Sequence, residues 1–430
     1  MQHITIDVSR FLGEDGTLNE GNLLRFWRKE VMQWTNAQTL ADLYNECMEE
    51  DEEISVRWIQ RMEKKQILPY DEKRRWILAT LLNIPPAYLG LKSIESSSST
   101  STEIKLLLPM HAATPVDISA YENKLREVWR APYTILDEVL ARIYVLQDAL
   151  LHGQKEQRAD VAHLLCEYHI AASNMQRAQG YFSSAISYLD KAVTLAQEKE
   201  YHALEVKALY MRGYSYFERW RITPNREEVR IDLLRAMKDA YAAMTLACAK
   251  QEKGVPPISL ALKGAALDQW GWMLAYDAHD KRDRHAALDS IDSAAAIVNA
   301  KSFQQDPNFL QINADWLTLS KAQAYVAFGW SRSALAELSS VQGDPRVMRR
   351  YLTAHIVEAE AYVGKGSAEM GAAYAENALA VASDVRSNVH IARIKNLYDA
   401  LRRHEKYKKS TDVARLGVKL LQVQHPELFV

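Results

Sequence analysis

One pattern fills the last two-thirds of the chain: from about residue 117 onward, apolar residues recur three and four positions apart in one segment after another. Glycine and proline are scarce in this part, and the nearest strand-like alternation lies upstream of it, at 105–108. Such spacing is typical of amphipathic helices, whose apolar stripe faces a neighbouring helix. The pattern therefore predicts an all-α protein in which helices pack on helices.

Small residues recur at corresponding places in these predicted helices. The segment 185–192 has Ala, Leu and Ala at offsets of four and three, 287–294 repeats the pattern with Ala, Ile and Ala, and a weaker copy lies at 334–338. Helix pairs that repeat at intervals near 34 residues, with alanines where helices cross closely, resemble tetratricopeptide (TPR) repeats. The resemblance implies five or six stacked helix pairs that wind into a superhelix with a concave groove.

The first helix of each pair lines the groove of such an array. In the TPR register, aromatic, amide and basic side chains fall on the concave side: Asn174, Arg177, Tyr210, Tyr214, Trp272, Tyr276, His279, Trp316 and Gln323. Aromatic rings cover side chains and amides satisfy backbone N–H and C=O groups, so this combination suits an extended peptide. The alternative is that the aromatic residues fill the interior of the superhelix or form a dimer contact.

The N-terminal part contains four shorter helical patterns, the third of which is ISVRWIQRMEKK at 54–65. Ser55 is placed to cap this helix, and Ile59 and Met62 lie on its apolar stripe. A helix of this length does not fold alone, so it must lean on its neighbours. Four short helices with a polar, basic third or fourth member predict a helix-turn-helix module.

The run WIQRMEKK, followed by PYDEKRRWILATLLNIPPAYLGL, resembles the Cro/repressor-like (XRE-type) helix-turn-helix family. It is most similar to bacterial members that carry a TPR array behind the DNA-binding head, and the resemblance covers roughly 22–91. Two features depart from the family pattern. An acidic stretch at 49–53 replaces the usual short turn before the third helix, and that helix ends in Glu63-Lys64-Lys65 instead of Glu-x-Gly.

The resemblance implies that the third helix lies in the major groove of DNA. By position, the residues that would meet base edges are Ser55, Arg57 and Arg61, with Gln60 beside them. Arginine can bind guanine O6 and N7 in bidentate fashion, and glutamine can do so for adenine. The basic residues that would contact phosphate, and so position the head, are Arg28, Lys64, Lys65 and Lys73.

The acidic stretch 49–53 decides the charge of this head. Between residues 22 and 95, eleven Lys and Arg face twelve Asp and Glu, a net charge of −1 that becomes +4 without 49–53. The whole chain carries −2, so it is not a general electrostatic binder of nucleic acid. Two interpretations stay open: Arg57 and Arg61 are accessible to DNA, or the acidic stretch pairs with them and keeps the head off DNA.

Length and composition divide the chain. With 430 residues it is too long for one ordinary core. The run 94–103 includes seven consecutive Ser or Thr, which is typical of a flexible linker. We therefore predict a helix-turn-helix head with an N-terminal arm over 1–93, a linker over 94–115 and a TPR-like repeat domain over 116–430.

Several absences shape the expected class of protein. The N-terminus does not read as a secretory signal, and no apolar run has membrane-spanning length. The three cysteines lack metal-like spacing and are interpreted as buried residues of a reducing compartment, so the cytoplasm is expected. Motifs of phosphate loops, zinc proteases and serine hydrolases are missing, so we expect neither an enzyme nor a metal or cofactor.

Together these features predict a cytoplasmic transcription regulator. Its TPR-like body resembles the sensor of peptide-responsive quorum-sensing regulators, in which a peptide or protein ligand shifts the population of head arrangements. A homodimer on double-stranded DNA is expected because one short recognition helix reads few base pairs. The alternative is a TPR scaffold that binds a partner protein and whose degenerate head has lost DNA contact.

Overall fold

The computed structural model describes residues 11, 20–48, 52–65, 68–69, 71–84, 86–89, 91, 115–130, 136–223, 230–249, 257–304, 312–341 and 348–429. Within these ranges the chain is helical and contains no strand, so the predicted all-α class is confirmed. The serine-rich run of the predicted linker lies outside the described residues. The chain divides into two compact units.

The α-helices described in the structure are, in chain order, α1 (Glu20–Phe26), α2 (Ala37–Glu46), α3 (Val56–Lys65), α4 (Glu72–Leu82), α5 (Ile118–Arg130), α6 (Leu136–His152), α7 (Arg158–Ala178), α8 (Phe182–Glu198), α9 (His202–Ile222), α10 (Arg230–Cys248), α11 (Leu260–Asp277), α12 (Lys281–Val298), α13 (Ala314–Ala327), α14 (Ser331–Leu338), α15 (Met348–Gly364), α16 (Ala368–Asp384), α17 (Asn388–Arg403) and α18 (Thr411–Gln424). A π-helical turn, Trp27–Val31, continues α1, and a 3₁₀ turn, Pro86–Leu89, follows α4.

The terminal unit comprises Met1–Thr102, Gly366–Asp384 and Ile394–Val430. Three of its helices, α2, α3 and α4, begin at capping side chains. The Asn36 side chain accepts the Gln38 amide, and the Asp71 side chain accepts the Lys73 amide, at 3.0 and 2.9 Å. The hydroxyl of Ser55 accepts the amide of Trp58 at 3.2 Å, which confirms its predicted capping position.

Helix α3 sits in the terminal unit through the stripe expected from its spacing. Ile59 and Met62 are buried, and Trp58 packs partly buried beside them. The nine-residue connection from α2 to α3 is closed by Asn45, whose side chain donates to the carbonyl of Ile54 and accepts its amide, at 3.0 and 2.7 Å. One amide side chain therefore bridges the two ends of this connection.

Helix α18 completes the core of the terminal unit. Ala414, Val418 and Leu421 are buried in the same cluster as the apolar residues of α1–α4. The sequence placed 366–430 in a repeat domain over 116–430. In the structure most of that segment belongs to the unit that contains α1–α4.

The central unit comprises Glu103–Lys365 and Val385–Arg393, so the first residues of α17 belong to it and the rest of that helix to the terminal unit. Its helices pack in successive pairs, α7 with α8, α9 with α10 and α11 with α12, and each first helix also contacts the next first helix. The small and apolar residues of the predicted repeats, at 185–192, 287–294 and 334–338, are buried, the last of them in α14, which packs on α13.

The pairs pack closely where glycine occurs. A Cβ placed on Gly271 of α11 would lie 2.6 Å from the carbonyl oxygen of Ala287 on α12. The first helices begin at residues 158, 202, 260, 314 and 348, so only the last interval equals the predicted 34 residues. Stacked helix pairs are therefore present, with longer and less regular repeats than the sequence suggested.

Candidate functional site

The central unit contains a cavity of about 380 Å³. Alternate helices α7, α9, α11 and α13 form most of its wall, with contributions from α15 and the first residues of α17. Aromatic rings and buried polar side chains alternate around it. A concave site with apolar walls and a few converging polar groups is the usual composition of a ligand pocket.

The helical period explains why these residues meet. Residues three, four, seven and eight positions apart share one face of a helix. Helix α9 turns such a face to the cavity with Tyr210, Tyr214, Phe217, Glu218 and Arg221. Helix α13 does the same with Trp316, Ser320 and Gln323.

Arg177 is the charged residue of α7 in this wall. Its Nη1 donates to the carboxylate of Glu218, and its Nη2 donates to the Asn174 amide oxygen at 2.9 Å. The guanidinium lies 4.7 Å from the ring centre of Tyr214, within cation–π range. Its Nε is buried and has no hydrogen-bond partner.

A second charged cluster joins α9, α15 and α17. Arg221 donates to Gln323 at 2.8 Å and to the Glu360 carboxylate at 2.9 Å. Arg393 donates to both oxygens of Glu360 through Nη2, at 3.0 and 3.2 Å. Two buried arginines therefore share one carboxylate, and the Nε of Arg393 is buried without a partner.

The pKa values of Arg221 and Arg393 shift in opposite directions, although both arginines pair with Glu360. Burial is the largest effect on Arg221 and favours its neutral form, but Glu360, Tyr276, Tyr214 and Glu218 together outweigh burial and the pKa rises. Burial and the neighbouring Arg221 together lower the pKa of Arg393, because the Glu360 carboxylate, which Arg393 shares with Arg221, does not offset them. Arg393 is thus the least compensated cation of the cavity wall.

Asp268 of α11 lies behind Trp316 and Ser320. Its Oδ2 accepts the indole N–H at 2.9 Å and the hydroxyl at 2.8 Å, while Oδ1 is buried without a partner. Burial raises the pKa of this carboxyl to about 7, against the two hydrogen bonds, which favour the charged form. Asp268 therefore titrates near neutrality inside the central unit.

The structure brings together most of the residues predicted for the groove. Seven of the nine line this cavity: Asn174, Arg177, Tyr210, Tyr214, Trp272, Trp316 and Gln323. Tyr276 and His279 do not. Tyr276 packs edge-on against Phe217 at 5.0 Å, and His279 is exposed because α11 has already ended at Asp277.

Sequence reasoning missed Arg221, Arg393 and Asp268. A signal existed for Asp268, because it is a lone acid within the apolar run LALKGAALDQW, where an ionisable side chain must be buried. Arg221 and Arg393 lie 172 positions apart by residue number, and no local pattern relates them. Only the packed structure shows that both reach Glu360.

The second candidate surface is the outer face of α3 in the terminal unit. Arg57, Gln60, Arg61 and Lys64 are all exposed, as is Ser55. Positions 57, 60, 61 and 64 share one helix face, so three cations and one amide form a single polar stripe. Neither arginine pairs with an acidic residue that the structure describes, and 49–51 lie outside the described residues.

Arg28 must be corrected. It is 2% exposed, and its guanidinium forms a bidentate pair with Glu63, at 2.7 and 2.9 Å, while also donating to the carbonyls of Trp34 and Thr35. It therefore fixes α3 to the π-helical turn that continues α1, and it cannot reach phosphate. The position of Glu63, four residues after Ile59 on the apolar face, was the signal that a buried cation must oppose it.

Lys73 is corrected for a similar reason. Its Nζ donates to both carboxylate oxygens of Glu52, at 2.8 and 2.7 Å, and lies 5.2 Å from the ring centre of Phe429. The acidic stretch thus neutralises Lys73 through Glu52, whereas one of the two interpretations of the sequence paired this stretch with Arg57 and Arg61. The side chain of Lys65 lies outside the described residues.

The sequence matches no known protein-family profile, and no curated protein is significantly similar to it. Among the described helices, none combines the length and apolar composition that crossing a bilayer requires. The described residues also hold no cluster of three His, Cys, Asp or Glu that is placed to bind a metal ion. Of the cysteines, Cys47 and Cys166 are buried as expected, whereas Cys248 is exposed.

Proposed function

We propose that this chain is a DNA-binding transcription regulator whose central unit senses a ligand. The observation that carries the proposal is the exposed stripe of Arg57, Gln60, Arg61 and Lys64 on α3. Exposed arginine and glutamine on one face of a short helix match the chemistry of base edges in the major groove. The buried pair of Arg28 and Glu63 holds that helix in place beneath the stripe.

The cavity of the central unit supports the sensing half of the proposal. It is lined by aromatic and amide side chains of the kind that bind peptide backbones and apolar side chains. A ligand changes DNA binding only if it binds one arrangement of the protein more tightly than another. We expect the regulator to act as a homodimer, because one helix reads only a short half-site.

Selection of binding sites from random DNA duplexes at low salt tests the DNA half. We expect wild-type protein to enrich a sequence, and the double variant Arg57→Ala/Arg61→Ala to lose it. Each lost guanine contact should weaken binding to the selected site by about tenfold or more. The matched control is Arg332→Ala, which removes an exposed arginine of the central unit and should bind as wild type does.

Salt dependence separates base reading from phosphate contact. Lys64→Ala should reduce the slope of log K against log salt by about one without changing the selected sequence. If no sequence is enriched, and the double variant binds DNA like wild type, the proposal fails.

One observation favours the second candidate function, a scaffold that binds a partner protein. Arg28 forms an ion pair with Glu63, and Lys73 forms one with Glu52, so two of the predicted phosphate contacts are removed. Without these two contacts, any DNA binding by the head should be weak and should show a shallow salt slope. A shallow slope with no sequence preference, together with recovery of a defined protein partner, would favour the scaffold.

A further inference from the structure

The cavity of the central unit has more buried positive than negative charge. Three arginines lie in its wall, Arg177, Arg221 and Arg393, and their partners are two carboxylates, Glu218 and Glu360. The nearby Asp268 pairs with none of these arginines: its Oδ2 accepts from Trp316 and Ser320. The cluster therefore carries one excess positive charge.

Donor atoms also remain unused. The Nε atoms of Arg177 and Arg393 are buried and unbonded, although both residues line the cavity. Arg393 uses Nη2 for Glu360, and its Nε has no acceptor among the residues that the structure describes. Buried guanidinium donors are normally satisfied, because an unmade hydrogen bond to a charged group is unfavourable in a low-dielectric interior.

Tyr214 places the two arginines at the same part of the cavity. Burial raises the pKa of its phenol to about 12, and Arg177 and Arg393 both act on it in the opposite direction. Its ring lies against the guanidinium of Arg177 at 4.7 Å and edge-on to Trp272 at 6.0 Å. The Arg177 guanidinium therefore lies against an aromatic part of the cavity wall.

We propose that this cavity binds a monocarboxylate, with Arg393 and Arg177 donating to the carboxylate and the aromatic residues holding an apolar body. One negative charge balances the excess of the cluster, whereas a phosphate dianion would overcompensate it. The planar guanidinium fork matches the two oxygens of a carboxylate. The inference deepens the proposed function, on which it rests only for the assignment of this cavity as the sensing site.

A carboxylate of this kind has two sources: the C-terminus of a short peptide or a small organic acid. Matched pairs of probes separate them. One pair is 3-phenylpropionate and 3-phenylpropanamide, and the other is a tripeptide ending in phenylalanine and the same tripeptide amidated at its C-terminus. Inorganic phosphate is the third arm. Each probe is titrated into the full chain without DNA, by calorimetry and by tryptophan fluorescence, since Trp272 and Trp316 line the cavity.

We expect both acids to bind at least tenfold more tightly than their amides, because a charge-assisted hydrogen bond is lost with each amide. A tighter tripeptide identifies a peptide C-terminus, and a tighter 3-phenylpropionate identifies an organic acid. Arg393→Gln should weaken acid binding about tenfold or more, while Arg393→Lys, which keeps the charge but not the fork, should weaken it less. Arg332→Gln on the surface is the control and should have no effect.

The inference is overturned if acids and amides bind equally, if phosphate binds more tightly than either acid, or if no acid binds up to about 10 mM, where fragments of this size are expected to be detectable. Circular dichroism melts verify that Arg393→Gln is folded, and Arg177→Gln repeats the test if it is not. These titrations contain no DNA. If acids bind the cavity but do not change DNA binding, this inference stands and the sensing function is removed. If a ligand changes DNA binding but no acid binds the cavity, the sensing function stands and this inference is removed.

Discussion

The buried carboxyl of Asp268 makes the stability of the central unit depend on pH in an unusual direction. The side chain is 1% exposed, and burial raises its pKa from 3.8 to about 7. Because the folded pKa lies above the unfolded one, the folded protein retains a proton that the unfolded chain releases. The stabilisation is complete below the unfolded pKa and is lost as pH rises through the folded pKa.

The magnitude follows from the two pKa values. Each unit of difference corresponds to about 1.4 kcal/mol, so between pH 5 and pH 8 the wild type should lose about 3 kcal/mol of unfolding free energy at this site. Asp268→Asn cannot ionise and should lose none of it. Its amide leaves one buried group unbonded, but that penalty is the same at every pH and cancels when the two pH values are compared.

Urea denaturation at pH 5, 6, 7 and 8, followed by circular dichroism, measures the effect. We expect the difference between Asp268→Asn and wild type to grow in favour of the variant as pH rises. Asp289→Asn, at an exposed position of α12, is the control and should run parallel to wild type. Parallel curves for Asp268→Asn would show that the carboxyl is not held neutral by burial.

Three further predictions concern packing. Gly271→Ala should lower the unfolding free energy in urea by about 1–3 kcal/mol, because the added Cβ would lie 2.6 Å from a carbonyl oxygen. The control is Gly264→Ala on the same helix, where the nearest atom to the added Cβ is 3.7 Å away and no destabilisation is expected. Equal effects of the two substitutions would contradict the close approach at Gly271. Glu63→Gln should lower the unfolding free energy by about 3–5 kcal/mol, since it leaves Arg28 buried without its counter-ion. Glu53→Gln, at an exposed position, should leave the unfolding free energy unchanged. A Glu63→Gln variant as stable as wild type would refute the role of the pair. Leu421→Ala should lower the unfolding free energy by about 2–5 kcal/mol, measured by thermal unfolding, because α18 belongs to the core around α1–α4. The control is Leu151→Ala, at an exposed position. An unchanged melting temperature for Leu421→Ala would argue against that packing.

Local periodicity was sufficient for much of the fold. The spacing of Ile59 and Met62 predicted the buried face of α3, and the offsets of Ala185, Leu189 and Ala192 predicted the contact face of α8. Each of these inferences uses residues within two turns of one helix. Burial is then decided by the helical period, which the sequence displays directly.

Only part of the candidate cavity was predicted, and that part followed from an assumed repeat register and not from local periodicity alone. Seven of its lining residues came from assuming one repeat register, and the assumption failed at His279 because α11 ends two residues earlier. Arg28 was assigned to phosphate because a basic residue of a head was assumed to be exposed. Its partner Glu63 is 35 residues away, and a pair at that separation is fixed by tertiary packing, which no local pattern contains.

The terminal unit shows how far such non-local packing extends. Arg402 of α17 donates to the carbonyls of Thr80 and Leu81 at the end of α4, at 2.6 and 2.9 Å, more than 300 residues away in sequence. The last turn of a helix leaves carbonyls without intrahelical partners, and a guanidinium can satisfy two of them. Gln422 of α18 donates in the same way to the carbonyl of Cys47, just after α2, at 2.8 Å. The N-terminal helices therefore take both apolar cover and capping groups from the C-terminal helices, so a fragment that ends before α17 lacks what completes their core.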